Sequence, residues 1–221
     1  MGFKRPRVRI SALGPNQHDG FDTKPSCFSI YVEIRITVRY NQFNKLEFDE
    51  VMNMIYRLPE ISDKSILQEY MQEHYDNKEN SISASLGLPA SEYTDWVEKI
   101  QRNSLVGDEQ WGKSLLYLCF DNNKLIGLLS IRYELPENLT KIYGDIGYGV
   151  RPSERNKGYA TTMLHYALSV CKEKGMDNVL IGCYKDNLAS AATIKKSGGM
   201  LVNENDNYKE GRISQYYSIK L

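Results

Sequence analysis

The chain has 221 residues, of which 41% are hydrophobic and 25% are charged, as in an ordinary globular protein. Lysine plus arginine and aspartate plus glutamate both number 28, so the net charge is zero. A neutral chain offers no general attraction to nucleic acid or to an anionic membrane. No apolar run approaches the roughly 18 residues that a membrane helix needs. The length therefore fits one domain, or one domain with an appendage.

The four cysteines are scattered and form no C-x-x-C pair: Cys27, Cys119, Cys171 and Cys183. Three of them lie in apolar runs, where a free cysteine packs as a small core residue. This spacing predicts neither a disulfide framework nor a metal site. The basic N-terminus lacks the apolar stretch of a signal peptide. A reduced cytoplasm is the simplest compartment for such a chain.

The first part of the chain, 1–51, is interpreted as an N-terminal extension that precedes one domain over 52–221. The extension begins with turn-rich, weakly apolar sequence, which predicts partial disorder. Apolar residues then alternate with polar ones within 28–40, which predicts one strand. Two alternatives stay open: this strand adds to the domain, or the extension lies outside the working domain and a natural start falls at Met52 or Met54.

The domain itself alternates strand and helix patterns. Helical stretches carry an apolar stripe at three- and four-residue spacing, and strands show alternation or short apolar runs. Asn122 and Asn123 tolerate a left-handed turn and predict a hairpin, whereas 136–141 is interpreted as a loop. This order indicates one mixed α/β domain. The predicted elements are strand 53–61, helix 62–75, helix 91–104, strand 113–120, strand 124–135, strand 143–150, helix 158–174, strand 178–184, a helix within 186–199, strand 200–204 and strand 212–221.

A basic segment with a glycine, Arg155-Asn156-Lys157-Gly158-Tyr159-Ala160, joins a strand to the long helix. The start of a helix has N–H groups without intrahelical acceptors and a partial positive charge, so such a junction suits a phosphate. Gly158 permits close approach of the backbone, Ala160 keeps the first turn small, and the two cations add positive charge at its mouth. The alternative is a solvated basic turn before a surface helix.

In this context, Arg155-x-x-Gly158-x-Ala160 resembles the Q/R-x-x-G-x-G/A acetyl-CoA signature of the GCN5-related N-acetyltransferase (GNAT) family. The stretch 186–199 is similar to the family's next motif, with an Asn at a helix start, small residues and Lys-x-Gly before a strand. The resemblance covers about 53–221. Within it, the sequence of 145–160 is most similar to that of uncharacterised bacterial acetyltransferases. It implies an α/β (α+β) fold: a mixed, mostly antiparallel central sheet, helices on both faces, and a V-shaped splay between two central strands.

The resemblance implies acetyl-CoA as the donor, with no metal. The pantetheine arm would pair with backbone of the strand that ends at Val150, and the amides at the helix start would hold the pyrophosphate. Asn187 would contact the pantetheine region or order a water. The implied cofactor-binding set is Tyr148, Gly149, Val150, Arg155, Asn156, Lys157, Gly158, Tyr159, Ala160, Thr161 and Asn187.

The implied reaction is direct attack of a primary amine on the acetyl group, with a backbone N–H near Val150 as donor to the oxyanion. Asp145 and Glu134 are the candidate bases, and each is also explained as an ordinary strand carboxylate. Where many relatives carry a tyrosine that protonates the thiolate, this chain has Ile194, so Tyr184 or water would replace that acid. Five tyrosines are candidates for lining the acceptor site: Tyr143, Tyr148, Tyr184, Tyr216 and Tyr217.

The alternative function is a non-catalytic acyl-CoA-binding module with a regulatory or interaction role. A nucleotide-binding phosphate loop is a weaker alternative, because the chain has no G-x-x-x-x-G-K-[ST] sequence. The expected partner is a small-molecule or peptide amine, with no nucleic acid and no membrane. A homodimer is an expectation at the level of the family.

Overall fold

A computed structural model describes the backbone of residues 10–11, 32–37 and 51–221, and the side chains of residues 54–221. The predicted disorder near the N-terminus lies outside the described residues. The predicted strand within 28–40 is present as Val32–Thr37 and pairs with the strand that begins at Val51. The division of the chain into 1–51 and 52–221 stays a prediction.

The described part of the chain forms two antiparallel sheets. The larger follows chain order from β1 to β6, and the smaller has the order β7-β9-β8. Helices α1 and α2 lie between β3 and β4, whereas α4 and α5 flank β7. The strands are β1 Ile10–Ser11, β2 Val32–Thr37, β3 Val51–Arg57, β4 Ser114–Asp121, β5 Lys124–Arg132, β6 Ile146–Val150, β7 Asn178–Tyr184, β8 Met200–Asn205 and β9 Ser214–Lys220. The helices are α1 Lys64–Asp76, α2 Tyr93–Leu105, α3 Glu137–Tyr143, α4 Tyr159–Glu173 and α5 Leu188–Lys196.

Most of the predicted elements are confirmed, and one segment is corrected. The hairpin between β4 and β5 turns at Asn122 and Asn123, with left-handed φ values of 47° and 67°. The segment 136–141, predicted to be a loop, lies largely in helix α3, and β6 begins three residues later than expected. Helix α3 has only seven residues, which is too short to show an apolar stripe.

Both faces of the larger sheet are covered by helices, as predicted. Alternate residues of β4 point to opposite faces. Leu115, Tyr117 and Cys119 pack in a core with α4 and α5, whereas Leu116 and Leu118 pack in a second core with α1 and α2. Each fully buried large apolar side chain contributes about 1.5–3 kcal/mol. Burial on both faces holds the sheet rigid beneath the cleft described next.

The two sheets meet where β6 and β7 begin. The Asp145 N–H donates to the Leu180 carbonyl at 2.6 Å, and the Leu180 N–H donates to the Asp145 carboxylate at 2.7 Å. Helix α4 connects the two strands, so they run in the same direction. Beyond this contact, no strand pairing joins β6 to β7 in the described chain. The strands therefore separate toward their carboxyl ends, which is the predicted V-shaped splay.

Close approach at this meeting point requires Gly144. Its φ of +68° lies in the left-handed region, and a Cβ atom there would lie 2.8 Å from the Leu180 carbonyl oxygen. Gly175, after α4, has a similar φ of +80° but nothing within 4 Å of its hypothetical Cβ atom. Both glycines thus have a positive φ, but Gly144, with a ψ of 175°, lies in a region of backbone conformation that is essentially restricted to glycine, and its surroundings are also packed.

We expect Gly144→Ala to lower the free energy of unfolding more than Gly175→Ala does. Gly175→Ala costs about 1 kcal/mol for the positive φ. Gly144→Ala costs about 1–3 kcal/mol for its glycine-restricted backbone conformation and about 1–3 kcal/mol more because the strands must move apart. Urea unfolding of the two variants measures the difference. Equal losses would contradict close packing of β6 on β7 at this point.

Candidate active site

A cavity of about 920 Å³ opens between β6 and β7. The first three residues of β6 and the second half of β7 form its floor. The segment 80–87 and α2 line one side, and residues 208–216, at the end of the β8–β9 hairpin, line another. The cavity therefore lies in the splay and extends toward the helices and the closing hairpin, the regions that the sequence predicted for the acceptor.

The edge of β6 that faces β7 has backbone groups available for hydrogen bonding. The Arg151 N–H donates to the Ile126 carbonyl at 2.9 Å. Since alternate residues of an edge strand bond to the same neighbour, residues 147, 149 and 151 direct their backbone N–H and C=O groups toward β5. By alternation, the amides of Tyr148 and Val150 point toward β7. An extended ligand in the splay can pair with these two residues. Gly149, predicted to share this role, pairs with Leu128 in β5 instead.

The loop before α4 has the conformation of an anion cradle. Asn156 and Gly158 have φ values of +63° and +85°, and Gly158 occupies the N-cap position without a side-chain cap. The Thr162 N–H donates to the Gly158 carbonyl at 3.1 Å, which is the first hydrogen bond of helix α4. Amides of a first helical turn have no intrahelical acceptor and carry partial positive charge. Backbone geometry here fits a phosphate group.

The side-chain cations of this loop are engaged by carboxylates. Arg155 forms two hydrogen bonds with Glu79, and its Nε donates to the Val150 carbonyl at 3.0 Å. The hydrogen bonds from Arg155 lower the pKa of Glu79 to about 2. Lys157 pairs with Glu154 at 2.9 Å. The expected positive charge at the mouth of the loop is thus reduced, because Glu79 pairs with Arg155 and Glu154 is shared between Lys157 and Lys124.

Two predicted residues approach each other at the start of α5. The Asn187 side-chain oxygen accepts from the Ser190 N–H at 3.1 Å and caps the helix, which leaves its NH2 group to donate to a ligand. Tyr148, from β6, places its hydroxyl 3.0 Å from the Ser190 hydroxyl. Burial raises the pKa of Tyr148 to about 12, so its hydroxyl stays protonated at neutral pH. All three residues line the cavity.

The two predicted bases lie outside the cavity lining. The Asp145 side chain is 6% exposed and holds the Leu180 N–H, so its geometry favours a structural role. Burial raises the pKa of its carboxyl, although the Leu180 N–H and Arg132 oppose the shift. Glu134 is exposed and pairs with Lys113 at 3.2 Å. Tyr184, the predicted acid, does line the cavity, and the Arg212 guanidinium lies 3.5 Å from its ring centroid.

The cavity has no aspartate, glutamate or histidine among its lining residues, all of which lie in the described part of the chain. Ile194, at the position of the family's acid, is fully buried. Of the five tyrosines predicted to line the acceptor site, Tyr217 packs in the core and the other four line the cavity. No carboxylate or imidazole among these lining residues is therefore available for proton transfer in the cavity.

Sequence reasoning missed several lining residues, among them Trp111, Arg132 and Tyr208. The rings of Trp111 and Tyr143 lie 5.1 Å apart, and those of Tyr143 and Tyr208 lie 5.7 Å apart, so they form a continuous aromatic wall. These residues come from a connection, a strand end and a polar hairpin. No periodic pattern marks them, and the aromatic content of these connections was the one available signal.

The sequence matches the acetyltransferase (GNAT) family over residues 67–199, which is more than half of the chain. The chain therefore belongs to the GNAT acetyltransferase family. This confirms the resemblance seen in the motifs, together with the class of activity, acetyl transfer, that it implied. A comparison with curated proteins found no match.

Solved structures share the fold at low sequence identity. The microcin C7 self-immunity acetyltransferase MccE, in complex with acetyl-CoA and AMP, has 18% identity and a TM-score of 0.58 over 76% of this chain and 92% of its own. RimL, a ribosomal L7/L12 alpha-N-protein acetyltransferase solved with coenzyme A, has 20% identity and a TM-score of 0.58 over 76% and 94%. An acetyltransferase from Salmonella typhimurium, described as modifying the N-terminal serine of ribosomal protein L7/L12, has 19% identity and a TM-score of 0.55 over 76% and 95%.

We expect Asp145→Asn to preserve both fold and turnover, whereas Asp145→Ala lowers the free energy of unfolding by about 1–3 kcal/mol. The asparagine oxygen can still accept from the Leu180 N–H, and alanine leaves that donor unpaired. Because folding raises the pKa of Asp145, the contribution of this carboxyl group to stability falls as pH rises above about 4. The difference in stability between wild type and Asp145→Asn should therefore change with pH in this direction.

Urea unfolding at several pH values and steady-state kinetics measure these effects. A general base would behave differently, since Asp145→Asn would then lower kcat by about 10²–10⁴ with stability unchanged. That outcome would return Asp145 to the catalytic set.

Proposed function

We propose that this protein transfers the acetyl group of acetyl-CoA directly to a primary amine of a small molecule or peptide. One observation carries the proposal: on the side that faces β7, β6 has two amides without a strand partner, and this strand continues directly into the loop that begins α4. The three structural relatives described above are acetyltransferases, and two were solved with acetyl-CoA or coenzyme A. The family supports the same donor for this chain.

The donor fits the residues that border the cleft. We propose that the acetyl-bearing pantetheine arm lies beside β6 as an added strand, against the amides of Tyr148 and Val150. The pyrophosphate would lie against the amides of 156–161, with Gly158 allowing the approach. Arg155 would act through its ion pair with Glu79, which holds the loop, rather than through a phosphate contact. Asn187 would donate its NH2 group to the pantetheine region.

The transfer step needs a neutral amine. Its nitrogen forms a bond to the thioester carbon, the carbon–sulfur bond breaks, the amine loses a proton, and sulfur leaves as a thiolate that takes up a proton. We propose that, of these two β6 amides, the one nearer the thioester donates to the acetyl oxygen while the other pairs with the pantetheine arm, and that water accepts the amine proton. Tyr148 is the better-placed donor to sulfur, because its hydroxyl is protonated and lies beside α5. Tyr184, the earlier candidate, is covered by Arg212.

A non-catalytic acyl-CoA-binding module is the second candidate function. It is favoured by Ile194 at the acid position and by the lack of a carboxylate or imidazole in the cavity lining. Release of free thiol from acetyl-CoA, measured with a panel of amines, separates the two. Binding of acetyl-CoA without turnover on any amine would favour the module.

The remaining features of the proposal concern setting and assembly. No helix in the described chain is long and apolar enough to cross a membrane. A cytoplasmic location is proposed, supported by the three unpaired thiols among the described residues.

A homodimer is proposed through β8, an edge strand whose consecutive residues Met200, Leu201 and Val202 are exposed. Natural proteins usually protect such apolar edges.

We expect Gly158→Ala to weaken acetyl-CoA binding at least tenfold, because a methyl group would enter the phosphate cradle. The matched control is Gly175→Ala at the other end of α4, where φ is +80° and the space is open. Both variants should lose about 1 kcal/mol of stability from the left-handed backbone. Calorimetric titration with acetyl-CoA measures affinity, and equal affinity in the two variants would refute this placement of the pyrophosphate.

We expect Val202→Lys to convert the dimer to a monomer, because a buried charge would be unpaired in the interface. Leu105→Lys, which alters an exposed apolar residue of α2, is the control and should leave the assembly unchanged. Light scattering at several protein concentrations measures the mass. A wild-type protein that is monomeric throughout would contradict the dimer.

A further inference from the structure

The charges around the cavity have one sign. Four basic side chains line it, and no acidic side chain does. The basic residues are Lys99, Arg132, Lys209 and Arg212. The chain as a whole is neutral, so this imbalance is local to the cavity. Like charges grouped around a partly enclosed space raise the concentration of anions within it.

Arg132 is the most enclosed of these cations. Its Nε donates to the Gly144 carbonyl at 2.9 Å, and its two other nitrogens donate to the Tyr143 carbonyl at 3.0 Å and the Ser130 hydroxyl at 3.3 Å. None of these acceptors carries a charge. A guanidinium has five N–H donors, so two remain for a ligand. Asp145 attracts Arg132 from a distance, but its carboxylate is engaged by the Leu180 N–H and lies outside the lining.

The other cations extend the positive region toward solvent. Lys99 and Lys209 are exposed, and neither has a carboxylate within 4.0 Å among the described side chains. Arg212 pairs with Asp186 at 3.0 Å and covers the ring of Tyr184. Its charge is therefore balanced, and its role is to close one face of the aromatic wall.

The aromatic wall raises the opposite hypothesis, a cationic acceptor. Aromatic faces attract ammonium groups. Tyr143, Tyr184 and Tyr208, however, meet one another edge to face, and Arg212 already occupies the face of Tyr184. A polyamine would also bring two or more positive charges against Arg132 without a carboxylate to receive them. The wall thus serves as an apolar surface beside an anion site.

We propose that the acceptor is an amine whose molecule also carries a carboxylate or phosphate, and that Arg132 binds this anion. The inference rests on the proposed acetyl transfer and names its substrate class. It also accounts for the lack of a carboxylate base. Positive charge near a bound amine disfavours the ammonium form and lowers its pKa, so a larger fraction is neutral and ready to attack.

The test compares pairs of amines that differ in one anionic group. Suitable pairs are phosphoethanolamine with ethanolamine, and the peptide amide Glu-Ala with Gln-Ala, with spermidine as the polycation. Thiol release from acetyl-CoA gives kcat/KM for each. We expect the anionic member of at least one pair to exceed its neutral partner about tenfold or more. The advantage should shrink as salt rises from about 0.05 to 0.5 M. If the phosphoethanolamine pair shows the advantage, the acceptor carries a phosphate; if the Glu-Ala pair shows it, the acceptor carries a carboxylate.

Two variants assign the effect to the cavity. Arg132→Gln should remove most of the preference for the anionic amine, and Lys209→Gln should reduce it about threefold. Lys209 is exposed, so its variant keeps the test valid if Arg132→Gln does not fold. Lys185→Gln makes the same charge change outside the cavity lining, where Lys185 pairs with Glu204, and should leave the preference unchanged.

The outcomes separate this inference from the function on which it rests. Preferred turnover of neutral amines or of spermidine would overturn the anionic acceptor and leave acetyl transfer in place. An equal loss of the preference for the anionic amine in Lys185→Gln and Lys209→Gln would also overturn the anionic acceptor. Binding of acetyl-CoA with no turnover on any amine would overturn acetyl transfer itself, and the inference with it.

Discussion

The structure depends on one contact that holds β6 and β7 together at their beginnings and allows them to part beyond it. Asp145 makes this contact with both its backbone and its side chain, each bonded to Leu180. Had the two strands paired along their length, one continuous sheet would result, and the amides of Tyr148 and Val150 would be consumed in its ladder. The splay leaves these groups without a strand partner. It creates the cavity and the binding edge at the same time.

The two ends of the cleft differ in how they present positive charge. At the start of α4, the cations are paired with carboxylates, since Arg155 meets Glu79 and Lys157 meets Glu154. Arg151, just before the loop, likewise pairs with Glu73 at 2.6 Å. These ion pairs shape the loop and tie it to the region of α1, so that end offers backbone dipoles. The other end offers side-chain cations, of which Arg132 is held by neutral acceptors alone. A donor with a diphosphate and an acceptor with a single anion would fit these two ends respectively.

Sequence reasoning failed where the deciding contact lies between distant parts of the chain. Asp145 was a candidate base because it lies on the strand that flanks the cleft, five residues before Val150, yet its side chain accepts from the N–H of Leu180 in β7, 35 residues away in the chain. Gly149 looked available for pantetheine, but the register of β6 on β5 assigns it to Leu128. Arg132 carried no periodic signal at all. In each case a one-residue difference in register, or a partner remote in sequence, decides where a polar group points.

The sequence by itself determined the order and type of nearly all elements in the domain, the family, and the loop that precedes α4. These features arise from local causes: side-chain periodicity, the left-handed preference of Gly158, and the turn at Asn122 and Asn123. Only the tertiary structure decided which charges are balanced, which strand amides are free, and which residues line the cavity. Those properties depend on distances between segments far apart in the chain, and no pattern along a single segment records them.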